Sequence, residues 1–195
     1  MSGEGDILAG AVIGPEGFIN EEGGVKYMRK HTGATLSPGN ANELSRRMSR
    51  LPVIMEQHCG NARYLSDNLR MNEDVERVFF PDLGKDSRAG YAGGVFSFTL
   101  TGDNAEERFE REKAFIEHAS KKGGLQHRVS LGMPDTLIVG YANLLTGFGH
   151  DYEEVKDIMG GLGIPIGLVR VSAGREQDRR GLKSAFENAI EYANR

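Results

Sequence analysis

Three apolar stripes at helical spacing, with short apolar runs between them, set the outline of the chain. Leu44, Met48, Leu51, Met55, His58, Ala62, Leu65 and Leu69 recur every three or four positions, which predicts one helix of about thirty residues beginning after "LSPGN". Pro52 falls inside it and predicts a bend, because proline removes one ladder hydrogen bond. Phe109, Ile116 and Ala119 predict an amphipathic helix in "NAEERFEREKAFIEHAS". Leu182, Ala185, Phe186, Ala189 and Ile190 predict another in "QDRRGLKSAFENAIEYANR". "YEEVKDIMGG" reads as a short helix, and a further one covers "NEEGGVKYMRKHTG", with Asn20 as cap and Gly33 near its end. "DILAGAVIG", "VERVFF", "GVFSFTL" and "IGLVRVSAG" read as strands, and "HRVSLGMPDTLIVG" as two short strands broken at Gly132 and Pro134. A polar, glycine-rich loop separates "VERVFF" from "GVFSFTL".

Strands interleaved with helices that cover one face predict an α+β unit with a small mixed or antiparallel sheet. The first fifty or so residues make no domain of their own, since one strand and one helix cannot bury an apolar strand on both faces. That segment needs a sheet from the rest of the chain or from another polypeptide. The expected division is residues 1–36, a long interdomain helix over 37–72, and a C-terminal domain over 73–195.

Composition narrows the function classes. The 195 residues are 38% hydrophobic and 27% charged, with a net charge of −4, as expected of a soluble globular protein without a basic stripe for nucleic acid. No apolar run is long enough for a membrane span, and the N-terminus lacks a secretory pattern, so the expected location is the cytoplasm. The single cysteine, Cys59, cannot pair within the chain and suits a reducing compartment. Glycine is frequent, at 27 residues, and punctuates many short connections. The five histidines include no i,i+4 pair, so a metal site is not expected. Nucleophile-elbow, P-loop and dinucleotide signatures are absent as well. His58 reads as a packed core histidine, and Arg46 to Arg50 ("RRMSR") as a solvated helix face.

The residue that stands out is Arg170, a permanent cation inside the strand-like "LVRVSAG". It could pair with a buried acid or wait for an anionic ligand. A wider pattern bears on the choice. "LSPGNANELSRRMSRLPVIMEQHCGNA", "VERVFFPDL", "SLGMPDTL" and "GIPIGLVRVSAG" occur in the order of the motifs of the pyridoxal-phosphate-dependent Cys/Met metabolism (trans-sulfuration) family, which this chain resembles over nearly its whole length. The resemblance implies the C-terminal part of a fold-type I PLP-transferase, in the manner of methionine γ-lyase, cystathionine γ-lyase or O-acetylhomoserine sulfhydrylase. It implies that Arg170 holds the substrate α-carboxylate and that Ser130 stands beside the cofactor lysine. Val129, apolar where members acting on cystathionine often carry a polar or acidic residue, then leans toward an alkylthio amino acid; plain strand packing is its other reading.

The chain also departs from the family. Carried back along the pattern, the cofactor lysine falls just before Met1, and Lys26, Lys30 and Lys85 occupy no comparable context. Thr146 stands where a family histidine would be, and Asp135 where a glutamate would be. The ring-stacking aromatic, the aspartate on the pyridine nitrogen and the phosphate loop belong to the family's N-terminal half. The resemblance therefore implies a subunit of a split enzyme. A companion chain carries the PLP-binding half, the cofactor pyridoxal 5'-phosphate is shared with it, the substrate is a sulfur amino acid, and such pairs form a dimer or tetramer. A non-catalytic regulatory remnant that binds a full-length relative is the alternative, and one piece of a longer chain is a third.

Overall fold

The computed structural model describes residues 4–81 and 92–195. The chain divides into two compact units, Met1–Leu51 and Pro52–Arg195. The first holds helices α1 (Glu16–Asn20), α2 (Val25–Thr32) and α3 (Pro38–Met48), none of which buries a residue. Gly33 ends α2 at φ +68°, as expected, but the residue capping its start is Gly24, because Asn20 closes α1 instead. The strand expected in "DILAGAVIG" does not form: residues 6–15 are irregular, with Leu8 and Ile13 almost fully exposed. A strand exists only where a neighbour completes its hydrogen bonds, and the described residues of this unit supply none. Two of the "RRMSR" arginines work in ion pairs: Arg47 binds Asp6 and Glu43, and Arg46 binds Glu43. Those guanidinium groups, Arg46 first, hold the Glu43 carboxyl down at about 2.

The second unit opens within the first turn of α4 (Leu51–Leu69). The single helix expected across this region is divided at Ser49 and Arg50. Pro52 lies in the first turn of α4, where its missing N–H costs nothing, so it marks a helix start and not a bend. The apolar stripe is buried only from His58 onward, with Met48 and Met55 exposed. The order continues through β1 (Val75–Phe79), β2 (Val95–Leu100), α5 (Ala105–Lys121), β3 (Gln126–His127), β4 (Leu137–Gly140), α6 (Tyr141–Gly147), α7 (Tyr152–Gly161), β5 (Leu168–Ser172) and α8 (Arg179–Ala193). The glycine-rich loop expected after β1, with Lys85, lies for the most part outside the described residues.

The strands form one mixed sheet in the order β1-β2-β5-β4-β3, antiparallel except for β3 beside β4. One face is the core. Phe96, Phe98 and Leu100 of β2, Ile138 of β4, and Val169 and Val171 of β5 pack with Ala62, Leu65 and Leu69 of α4, Phe115 and Ile116 of α5, and Phe186 and Ile190 of α8. Phe98 meets Phe115 edge to face at 5.5 Å, and Phe115 lies 6.0 Å from Phe186, so one aromatic chain joins sheet to both helices. A smaller cluster of Phe109, Ala142, Val155 and Met159 ties α5 to α6 and α7. This is the α+β architecture expected, with helices on one face. Residues alternate across a strand, so the opposite face of β5 carries Leu168, Arg170 and Ser172.

Candidate functional site

Arg170 stands at the middle of the sheet, in register with Ser97 on β2 and Val139 on β4. Ladder hydrogen bonds on both sides fix where its side chain leaves the backbone. Its Nη2 donates to the carbonyl of Ser130 at 2.9 Å, while its Nε is buried with no hydrogen-bond partner. No salt bridge joins Arg170 to a carboxylate among the described residues. An unmatched buried N–H is costly, and nothing among the described residues pairs with this one. The reading in which Arg170 pairs with a buried acid finds no support.

Ser130 and Val129 lie in the loop after β3 and before β4, and both are exposed. Val129 is 64% exposed and outside β3, so it does not pack as a strand residue. The structure thus brings Arg170 against the Ser130 main chain and leaves Val129 open beside it. The loop is braced against the end of β5. The Gly132 N–H donates to Ser172 Oγ at 3.0 Å, Arg175 N–H to Pro134 O at 2.6 Å, and Gly174 N–H to Thr136 Oγ1 at 2.9 Å. Thr136 N–H in turn donates to the Glu176 carboxylate.

Helix α4 grips the same segment from the core side. His58 Nδ1 lies 2.6 Å from Ala173 O; a carbonyl only accepts, so Nδ1 carries the proton. Asn61 Nδ2 donates to Gly174 O and Glu176 O, both at 3.1 Å, and its Oδ1 accepts from Arg179 Nε at 2.8 Å. His58 is a core histidine, as its place on the stripe predicts. Gly174 has no room for a side chain, since a Cβ would collide with backbone atoms of Pro134, Asp135 and Thr136. Gly174→Ala should therefore push the two segments apart and cost about 1–3 kcal/mol, read by thermal unfolding. An unchanged midpoint would show that the contact yields freely.

Sequence reading missed Ser172, Thr136, Glu176 and Asn61, all of which act through partners remote in the chain. It also missed Glu112 on α5, which is fully buried. One of its carboxyl oxygens accepts the Asn143 N–H at the start of α6, and the other has no partner. Burial pushes this carboxyl up to about 8, against smaller opposing effects from backbone N–H groups of Asn143, Ala142 and Gly167. Burial likewise raises the Cys59 thiol and lowers the His127 imidazole. Among the described residues no cluster of His, Cys, Asp or Glu could hold a metal, and no helix is long and apolar enough to cross a membrane.

The α+β unit thus sets an arginine of its central strand, without a carboxylate partner among the described residues, against a braced serine loop. The chain belongs to the Cys/Met metabolism PLP-dependent enzyme family, whose model matches residues 1–191. It is 37% identical over 183 residues to an L-methionine gamma-lyase of Porphyromonas gingivalis, covering 90% of this chain and 42% of that protein. It is 32% identical to the L-methionine gamma-lyase of Pseudomonas putida, with the same coverage. A cystathionine beta-lyase of Lactococcus lactis is 25% identical, with 90% of this chain and 44% of that protein covered. The chain thus spans less than half the length of the curated relatives it matches.

The family's pyridoxal phosphate can be tested against the residues present. The orphaned Nε of Arg170 fits the carboxylate of an amino acid held beside that cofactor. Lys113, Lys121, Lys156 and Lys183 sit on helices, each paired with a glutamate one turn away. The residues fit the substrate side of such a site.

Proposed function

We propose that this chain supplies the substrate-carboxylate clamp of a PLP-dependent carbon–sulfur lyase or transferase, acting by β- or γ-elimination or replacement on a sulfur amino acid. A companion chain brings the cofactor lysine together with the ring and phosphate contacts, and such pairs assemble further as a dimer or tetramer. The observation that carries this reading is Arg170: a guanidinium at the centre of the sheet with one arm on Ser130 O and no carboxylate partner among the described residues. When bound, PLP draws electrons from the α-carbon of the amino acid and so eases loss of its proton and of the sulfur group. This chain's part is to hold the carboxylate in one orientation by parallel charge-assisted hydrogen bonds. Val129 is exposed in the loop beside Ser130; on this reading it is the apolar contact that favours a side chain ending in an alkylthio group.

The deciding experiment is purification of this chain from its own cells with whatever polypeptide accompanies it. Borohydride reduction should fix a pyridoxyl group on a lysine of the companion, and the complex should release a thiol from L-methionine. A colourless assembly of this chain alone, releasing no thiol, would overturn the proposal. One observation favours a second reading, that of a non-catalytic partner of a full-length relative. Thr146, at the family's histidine position, spends its hydroxyl on Ala142 O within α6 at 2.8 Å. In that case the co-purifying protein would be a complete enzyme with its own clamp.

If the first reading holds, Val129→Asp should favour substrates with a second amino group. The ratio of kcat/KM for cystathionine over methionine should rise about ten-fold, the effect of one complementary charge at a part-desolvated contact. An unchanged ratio would show that Val129 does not meet the substrate.

A further inference from the structure

The face of β5 that carries Arg170 carries one more polar side chain turned to the same loop. Ser172 is two positions on, so it points the same way. It is 2% exposed and lies opposite Val95 on β2 and Leu137 on β4. Its Oγ accepts the Gly132 N–H at 3.0 Å, while Arg170 Nη2 donates to Ser130 O at 2.9 Å. One strand face thus ties the loop on both sides of Leu131. Gly132 has φ +71°, a conformation that side-chain-bearing residues rarely adopt, so the chain turns there and gives its N–H to Ser172.

We infer that Ser172 is a positioning residue for the carboxylate clamp, an inference that rests on the proposed function. Its hydroxyl fixes Gly132, and Gly132 fixes how far the Ser130 carbonyl stands from the guanidinium. Without it the Gly132 amide loses its partner, the loop shifts, and Nη2 is released from Ser130. The guanidinium then has no fixed orientation in which to present two parallel donors to a carboxylate. Such a fault is specific to ligands that carry a carboxylate. A serine that merely filled space would, when altered, weaken every ligand alike.

The test uses the complete enzyme and equilibrium calorimetry with two unreactive probes, L-norleucine and pentylamine, which differ by the carboxylate. Ser172→Thr and Ser172→Val have the same shape and differ by the hydroxyl. The threonine variant should bind both probes as the native enzyme does. The valine variant should bind L-norleucine about ten-fold more weakly, the worth of one charge-coupled hydrogen bond, with pentylamine unchanged. Should the valine variant not fold, Ser172→Ala, which cannot overpack the site, gives the same comparison. Equal affinities in the threonine and hydroxyl-free variants, or equal losses for both probes, would overturn the inference. Arg170→Ala separates the two levels: if it leaves L-norleucine binding intact, the proposed function fails, and if it weakens that probe while removal of the hydroxyl does not, only the role of Ser172 fails.

Discussion

Arg170→Ala in the complete enzyme should lower kcat/KM for a sulfur amino acid by roughly 10²–10³, the cost of truncating one partner of a desolvated charge pair. The thermal midpoint should hardly move, because Arg170 projects from the face of β5 opposite the aromatic core. Arg170→Lys should recover little. An ammonium is a point charge that cannot keep one arm on Ser130 O and offer two parallel donors to a carboxylate. Steady-state kinetics beside a melting curve decide the matter. A large fall in kcat/KM at constant stability supports the clamp, whereas unchanged kinetics in a folded variant would remove the carboxylate role altogether.

The parts of the fold that could be read from the sequence are those set by local periodicity. The stripes of α5 and α8 bury nearly all the residues their spacing selects: Phe109, Ile116, Ala119, Leu182, Phe186, Ala189 and Ile190 lie inside, and Ala185 is half-buried. Arg170 was legible because a permanent charge interrupts an apolar strand, and Ser130 because the family pattern pointed to it. What stayed hidden depends on segments that meet only in the fold. Ser172 and Gly132 are 40 positions apart, and Asn61 reaches Glu176 across 115. A serine in "VSAG" or an asparagine on a helix gives no local sign of such a partner. "DILAGAVIG" failed for the opposite reason: its composition suits a strand, but the described residues of this unit offer no strand to pair with it. Glu112 did leave a signal. It lies on the stripe formed by Phe109, Ile116 and Ala119, three residues after the first and four before the second, so the helix period alone places this carboxyl in the interior.

That burial leads to the second large effect. The stability of the protein should fall as pH rises from about 5 to about 8, and Glu112→Gln should abolish most of that fall. The Glu112 carboxyl ionises near 4.5 in an unfolded chain and at about 8 in the fold. Between those values the folded state keeps a proton that the unfolded state has released, so raising the pH favours unfolding. The contribution is whole below the lower value and lost once pH passes the upper one, on the order of 3–5 kcal/mol in all at about 1.4 kcal/mol per unit. Nearby cations do not offset it. Arg108 is turned to Gly102 O and Arg111 to Thr101 and Glu107, and the causes acting on Glu112 are burial and backbone N–H groups alone. Glutamine keeps an acceptor for the Asn143 N–H and cannot ionise. The His127 imidazole, pushed down by burial, works in the other direction and at lower pH, since its contribution is lost as pH falls. Urea midpoints taken from about pH 5 to about pH 8 should therefore decline in the native protein and stay nearly level in Glu112→Gln. A native protein whose stability holds or rises over that interval would mean that Glu112 is ionised in the fold, and that a counter-charge or water reaches its second oxygen.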